Sequence, residues 1–145
     1  GGNVLLLFLN ISLACDYRIV SDNTVFQNPC LEYGLVPKGG GAFFLSKILG
    51  ASGALRLMLS EEDITAGEAL KLNLVDEIVT VSELRNAAFK VAEEFARKPS
   101  RSLRCCKRLL NFSFKELREY LEFETDELTK MIGPFGNGLS KNVCR

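Results

Sequence analysis

Residues Ala14 to Gly41, ACDYRIVSDNTVFQNPCLEYGLVPKGGG, carry more structural information than any other part of the chain. Tyr17 to Val20 reads as a short strand, ended by the turn residues Ser21-Asp22-Asn23, and Val25-Phe26 as a second one. Pro29 and Gly34 mark loop. Gly39, Gly40 and Gly41 then lead into an apolar helix near Ala42. A backbone without side chains at these glycines can approach a ligand closely. The free N–H groups of a helix beginning here would favour developing negative charge, as when a carbonyl is polarised. No Gly-Lys-Ser/Thr follows at the spacing of a Walker loop.

On the N-terminal side, the apolar run Val4 to Leu9 reads equally as a buried strand or as the start of a buried helix, which periodicity cannot separate. On the C-terminal side, Phe43 to Leu49 reads as a helix stopped at Gly50, and a second runs from near Ser52 to Leu59. Thr65-Ala66-Gly67-Glu68 is a capping box that opens a short helix ending near Asn73, followed by a strand over Leu74 to Val79. Ser82 is the expected cap of a helix with Leu84, Ala87, Ala88, Val91, Ala92 and Phe95 on one face, stopped by Lys98-Pro99. That stripe is core or subunit interface. A further helix covers about Ser102 to Leu110. A capping box from Ser113 to Glu116 is expected to open a last one, with Leu117, Tyr120, Leu121, Leu128 and Met131. The tail after Gly133-Pro134 shows no periodicity and reads as loose. Short strands alternating with helices predict an α/β layered fold with a helical C-terminal third.

Composition narrows the function classes. The 145 residues carry 18 Lys and Arg against 18 Asp and Glu, so neither nucleic acid nor an anionic membrane is indicated as a partner. The run at Val4 to Leu9 is too short to span a bilayer and lacks the basic start of a signal peptide. Five cysteines without zinc spacing suit a reduced, cytoplasmic protein. Histidine is absent, which removes Ser-His and Cys-His nucleophilic catalysis within the chain and His-ligated metal sites.

Three segments resemble the enoyl-CoA hydratase/isomerase (crotonase) superfamily: SLACDYRIVSDNTVFQNP, GLVPKGGGAFFLSKILGASGALRLMLS and DITAGEALKLNLVDEIV. The likeness they carry is expected to extend over residues 2 to about 79. The resemblance implies the ClpP/crotonase fold, a spiral of ββα units with a helical C-terminal region. It further implies a homo-oligomer, trimer or hexamer. Residues 1–80 would be a partial core holding one wall of an acyl-CoA pocket, and residues 81–145 the oligomerisation region. Family members run to roughly twice this length, against the usual domain range, so the chain is expected to be a C-terminal half, as a fragment or a truncated isoform.

The activity so implied is hydration or isomerisation of an acyl-CoA thioester. Two backbone N–H groups would stabilise the thioester enolate oxygen while side chains move the proton. No cofactor is implied beyond the coenzyme A that is part of the substrate. Carried over by position, one oxyanion N–H falls at Leu7, where the family has glycines, and the other belongs to a segment that would precede Gly1. Hydratases of the family place glutamates at the positions of Asn10 and Cys30, and some isomerases place an acid at Lys38. All three positions lack a carboxylate. Glu32 is the nearest acid to Cys30 and would serve only if the loop is shifted. Asn10 and Cys30 remain catalytic candidates, and Lys38, Gly39 and Gly40 are candidates for binding substrate, with Lys38 meeting a coenzyme A phosphate.

Each has a plain alternative. Cys30 reads also as a small buried hydrophobe, Glu32 and Lys38 as solvated charges, Asn10 as a polar residue satisfied within the fold, and the glycines as a turn. Asp16 and Asp22 read as structural. The missing carboxylates leave open a second function, that of a crotonase-fold binding or assembly subunit without catalysis.

Overall fold

The apolar run Val4 to Leu9 turns out to be strand and helix in succession. In the computed structural model, which describes residues 2–36 and 38–132, β1 (Asn3–Leu5) lies parallel to β3 (Val25–Gln27), with Asn3 opposite Val25 and Leu5 opposite Gln27. Where that pairing ends, α1 (Leu6–Ser12) begins. Leu6, Leu9, Asn10 and Leu13 then fall at helical spacing and are buried. A two-residue strand, β4 (Ile64–Thr65), adds antiparallel to β3 and completes a sheet of order β1-β3-β4.

A second sheet pairs β2 (Ile19–Ser21) in parallel with β5 (Glu77–Val79). Its register is set by Arg18. The Arg18 amide donates to Asp76 Oδ2 at 2.8 Å, its carbonyl accepts from the amides of Asp76 and Glu77, and its guanidinium meets Asp76 at 3.0 Å. β2 therefore begins after Arg18 rather than at Tyr17. β5 is shorter than the predicted strand because Leu74 and Val75 are spent on the core before the pairing starts.

The long apolar helix α2 (Gly41–Met58) runs through Gly50, whose φ of 71° and ψ of 167° kink it at the predicted break. α3 (Ala66–Lys71) opens with the expected capping box: Glu68 N donates to Thr65 Oγ1 at 3.3 Å, and Thr65 N donates to Glu68 Oε2 at 2.9 Å. Leu6, Leu9, Phe26, Phe44, Leu45 and Leu74 form the centre of the core between α1, α2 and the first sheet.

Two expected caps are not formed. α4 (Leu84–Ala96) is not capped by Ser82; Glu83 is its N-cap and turns its carboxylate back to accept from the Thr80 amide at 3.2 Å. The apolar stripe of α4 lies over the second sheet, with Tyr17 and Phe95 in edge contact at 6.4 Å. α5 (Ser100–Asn111) follows directly after Pro99. α6 (Leu117–Ile132) does not open with a box from Ser113 to Glu116, because Ser113 Oγ donates to the Leu110 carbonyl at 2.8 Å instead. Tertiary packing wins there: Phe114, in the 3-10 turn Phe112–Phe114, sits 5.5 Å from the Phe44 ring and 6.0 Å from Phe43. The tail from Gly133 lies outside the described residues, as does Cys144. The α/β class with a helical C-terminal region is as expected. No helix among the described residues is long and apolar enough to cross a membrane.

The Thr65 amide, and then its hydroxyl, hold the Glu68 carboxyl below its ordinary value of 4.5. A carboxyl lowered in the folded state stabilises fully above its unfolded pKa and loses that contribution as pH falls through the folded value. The difference in Tm between the chain and its Glu68→Gln variant is therefore expected to narrow as pH drops below 4.5. Thermal unfolding at several pH values checks this; a gap that widens in acid would contradict it.

Candidate functional site

Two of the three glycines, Gly39 and Gly40, are held by a residue 85 and 84 positions away. Gly39 and Gly40 take φ of 99° and 76°, a left-handed backbone that side chains strain. Their two N–H groups converge on one anion, as backbone amides do in an anion-binding nest. The anion there is Glu124 of α6. Gly39 N donates to Glu124 Oε2 at 3.1 Å, and Gly40 N donates to Oε1 at 3.0 Å and to Oε2 at 3.3 Å. Gly40 is also the N-cap of α2, whose dipole favours negative charge at that end.

Glu124 is 9% exposed, so its charge is acceptable only because it is hydrogen-bonded. Tyr120 OH adds a longer donation to Oε1 at 3.4 Å. Burial, and then the Glu124 carboxylate, raise the Tyr120 phenol above its ordinary range. The expectation of free N–H groups at the glycines is thus corrected for Gly39 and Gly40: both donors already serve a carboxylate of the same chain. Around this contact Phe43, Phe44, Phe114 and Tyr120 pack edge to face or tilted, with Phe43 and Tyr120 centred 5.3 Å apart. That cluster fixes α6 against α2.

Beneath the glycines lies α1. A Cβ placed on Gly39 would sit 3.1 Å from Leu7 Cδ1 and 3.2 Å from Ile11 Cγ1. One placed on Gly41 would run into the Asn10 carboxamide, at 2.8 Å from its Cγ and closer still to Nδ2. Asn10 is 0% exposed, and neither Oδ1 nor Nδ2 has a protein partner among the described residues. The Leu7 amide lies in the first turn of α1, where N–H groups have no acceptor within the helix.

The remaining candidates stand on the loop between β3 and α2. Cys30, half-buried, and Glu32, exposed, belong to the 3-10 turn Pro29–Tyr33, which ends at Gly34 with φ of 66°. Lys38 is exposed beside Gly39. The structure therefore gathers Leu7, Asn10, Gly39 and Gly40 into one layer. Among the described residues, neither the Cys30 nor the Glu32 side chain makes a hydrogen bond or ion pair to it.

Sequence reasoning missed Glu124. A signal was present. In α6 the half-buried Leu117, Tyr120 and Leu128 define the packed face, and Glu124 occupies that face at helical spacing, where periodicity calls for an apolar residue.

Residues 8–134 match the family model of enoyl-CoA hydratase/isomerase. A short-chain-enoyl-CoA hydratase of Clostridium acetobutylicum is 32% identical over 117 residues, 80% of this chain and 45% of that protein. A probable mitochondrial enoyl-CoA hydratase of Dictyostelium discoideum is 34% identical over 115 residues, 79% of this chain and 42% of that protein. The crystal structure of an enoyl-CoA hydratase from Bacillus halodurans superposes with a TM-score of 0.80 at 30% identity, covering 89% of this chain and 52% of that one. The chain thus spans less than half the length of these two curated relatives.

The close approach of α1 and α2 makes one substitution diagnostic. Gly41→Ala forces the Asn10 carboxamide to move and is expected to destabilise the chain by about 1–3 kcal/mol, the usual range for overpacking. Adding Asn10→Ala to Gly41→Ala should recover part of that loss, because the two sites are in contact. Thermal unfolding of the single and double variants tests this, and additive losses would refute it.

Proposed function

The chain belongs to the enoyl-CoA hydratase/isomerase family, and on that premise we propose that it binds acyl-CoA thioesters and contributes to hydrating or isomerising an enoyl-CoA. The observation that carries this reading is the layer in which the first turn of α1, with the Leu7 amide, packs against Gly39. An α-carbanion beside a thioester is accessible only when the charge that moves onto the carbonyl oxygen meets preorganised donors. The Leu7 N–H is such a donor. Because it belongs to the backbone, a leucine at this position still supplies it.

Proton movement falls to side chains. Glu32 is the acid nearest in sequence to Cys30, one of the positions where the resemblance places a family glutamate, and its exposure leaves it accessible to a substrate. Cys30 stands beside it on the same turn, and Asn10 lies below the glycines, where it would polarise an acyl group only after the loop opens. Lys38 pairs with a coenzyme A phosphate, and the Gly39–Gly40 backbone forms the adjoining wall. Residues 1–80 supply this pocket wall. Residues 81–145 supply the contacts of a homo-oligomer, a reading supported by exposed Leu109, Leu110, Phe112 and Phe123 in the C-terminal helices.

Titration with a short enoyl-CoA is expected to show binding, and loss of the conjugated thioester absorbance should report turnover. Glu32→Gln should lower that turnover at least about tenfold. Binding without turnover across a panel of acyl-CoAs would overturn the catalytic part, and absence of binding would overturn the whole reading. Sedimentation is expected to give a species larger than the monomer; a stable monomer at high concentration would count against assembly through the helical region.

A further inference from the structure

We propose that Glu124 is a positioning residue: its carboxylate, seated on the Gly39 and Gly40 amides, holds the glycine loop and, through it, the first turn of α1 with the Leu7 amide. This deepens the acyl-CoA reading and rests on it for the part that concerns substrate. Three independent features of the chain support it.

The contact is two-pronged. Both carboxylate oxygens accept from the loop, at 3.0 to 3.3 Å, which fixes the orientation of the two peptide planes as well as their distance. The loop in turn rests on α1. Gly39 lies against the Leu7 and Ile11 side chains and Gly41 against Asn10, so a displaced loop leaves α1 without its cover. Finally, packing alone does not explain a glutamate at this place. The face of α6 that carries it is otherwise apolar or aromatic, and well-packed hydrophobic residues often serve stability as well as a buried charge does. What an apolar residue would not supply is an acceptor for two converging amides. The charge stands where the loop geometry requires it.

Glu124→Gln keeps the shape and replaces one acceptor oxygen with an NH2 group, while Glu124→Ala removes the acceptor altogether. In the 145-residue chain without ligand, Glu124→Gln is expected to speed amide hydrogen exchange at Gly39 and Gly40 by at least about tenfold, as for loss of a charge-assisted hydrogen bond, and to shift the Leu7 amide resonance. Exchange at the paired strands β1 and β3 should stay as it is. With an enoyl-CoA, Glu124→Ala should bind more weakly and turn over more slowly. Added acetate should restore both, and acetamide or chloride at equal concentration should not.

Unchanged exchange at Gly39 and Gly40, or an unmoved Leu7 resonance, overturns the proposal. So does faster exchange accompanied by acyl-CoA binding and turnover equal to those of the parent chain. If the parent chain itself binds no acyl-CoA, the acyl-CoA reading fails by itself, and the exchange and resonance measurements still decide whether Glu124 positions the loop.

Discussion

A carboxylate enclosed between a glycine turn and the packed face of a helix organises the middle of this molecule. Glu124 reaches from α6 to the amides of Gly39 and Gly40, and the aromatic group of Phe43, Phe44, Phe114 and Tyr120 encloses the junction. Each part depends on the others. The glycines must adopt left-handed backbone to present both N–H groups to one side, and the carboxylate must be met by them to tolerate burial. The aromatic packing brings α6 close enough for the contact to form.

The same turn is constrained from below. Gly39 and Gly41 are filled in by Leu7, Ile11 and Asn10, so the loop is held between α1 and α6 with no room for a side chain at Gly41. This sandwich keeps the first turn of α1, and with it the Leu7 amide, packed beneath the glycine loop. In the oxyanion role proposed for Leu7 the donor is a peptide N–H, and its placement would depend on what packs against α1 more than on which side chain it bears. Proton transfer is different, because it needs a particular side chain. By the sequence resemblance, Asn10, Cys30 and Lys38 are expected to stand where the family carries acids, and the proposed proton carrier is therefore Glu32, on an exposed turn.

Local signals in the chain were legible where the interactions are local. The box of Thr65 and Glu68, the break at Gly50 and the stop at Pro99 each involve residues within one helical turn of each other, and each is found where periodicity and cap chemistry put it. Ser82 and Ser113 have equally good local credentials and fail as caps. Thr80 competes successfully for the first helix terminus, through Glu83. Around the second, Phe114 is drawn into contact with Phe43 and Phe44, and Ser113 turns to the Leu110 carbonyl. The run Val4 to Leu9 could not be assigned alone, because its division into β1 and α1 depends on a partner strand some twenty residues away.

By itself, then, the amino-acid order determined the α/β class, the family, the glycine turn, and the absence of a carboxylate at Asn10, Cys30 and Lys38. These follow from short-range patterns and from residue identity. The occupant of the glycine turn was decided only in three dimensions. An unpaired pair of backbone N–H groups takes whatever acceptor the fold delivers, and the delivery of Glu124 depends on α6 packing across α2, a long-range arrangement that spacing along the chain does not encode.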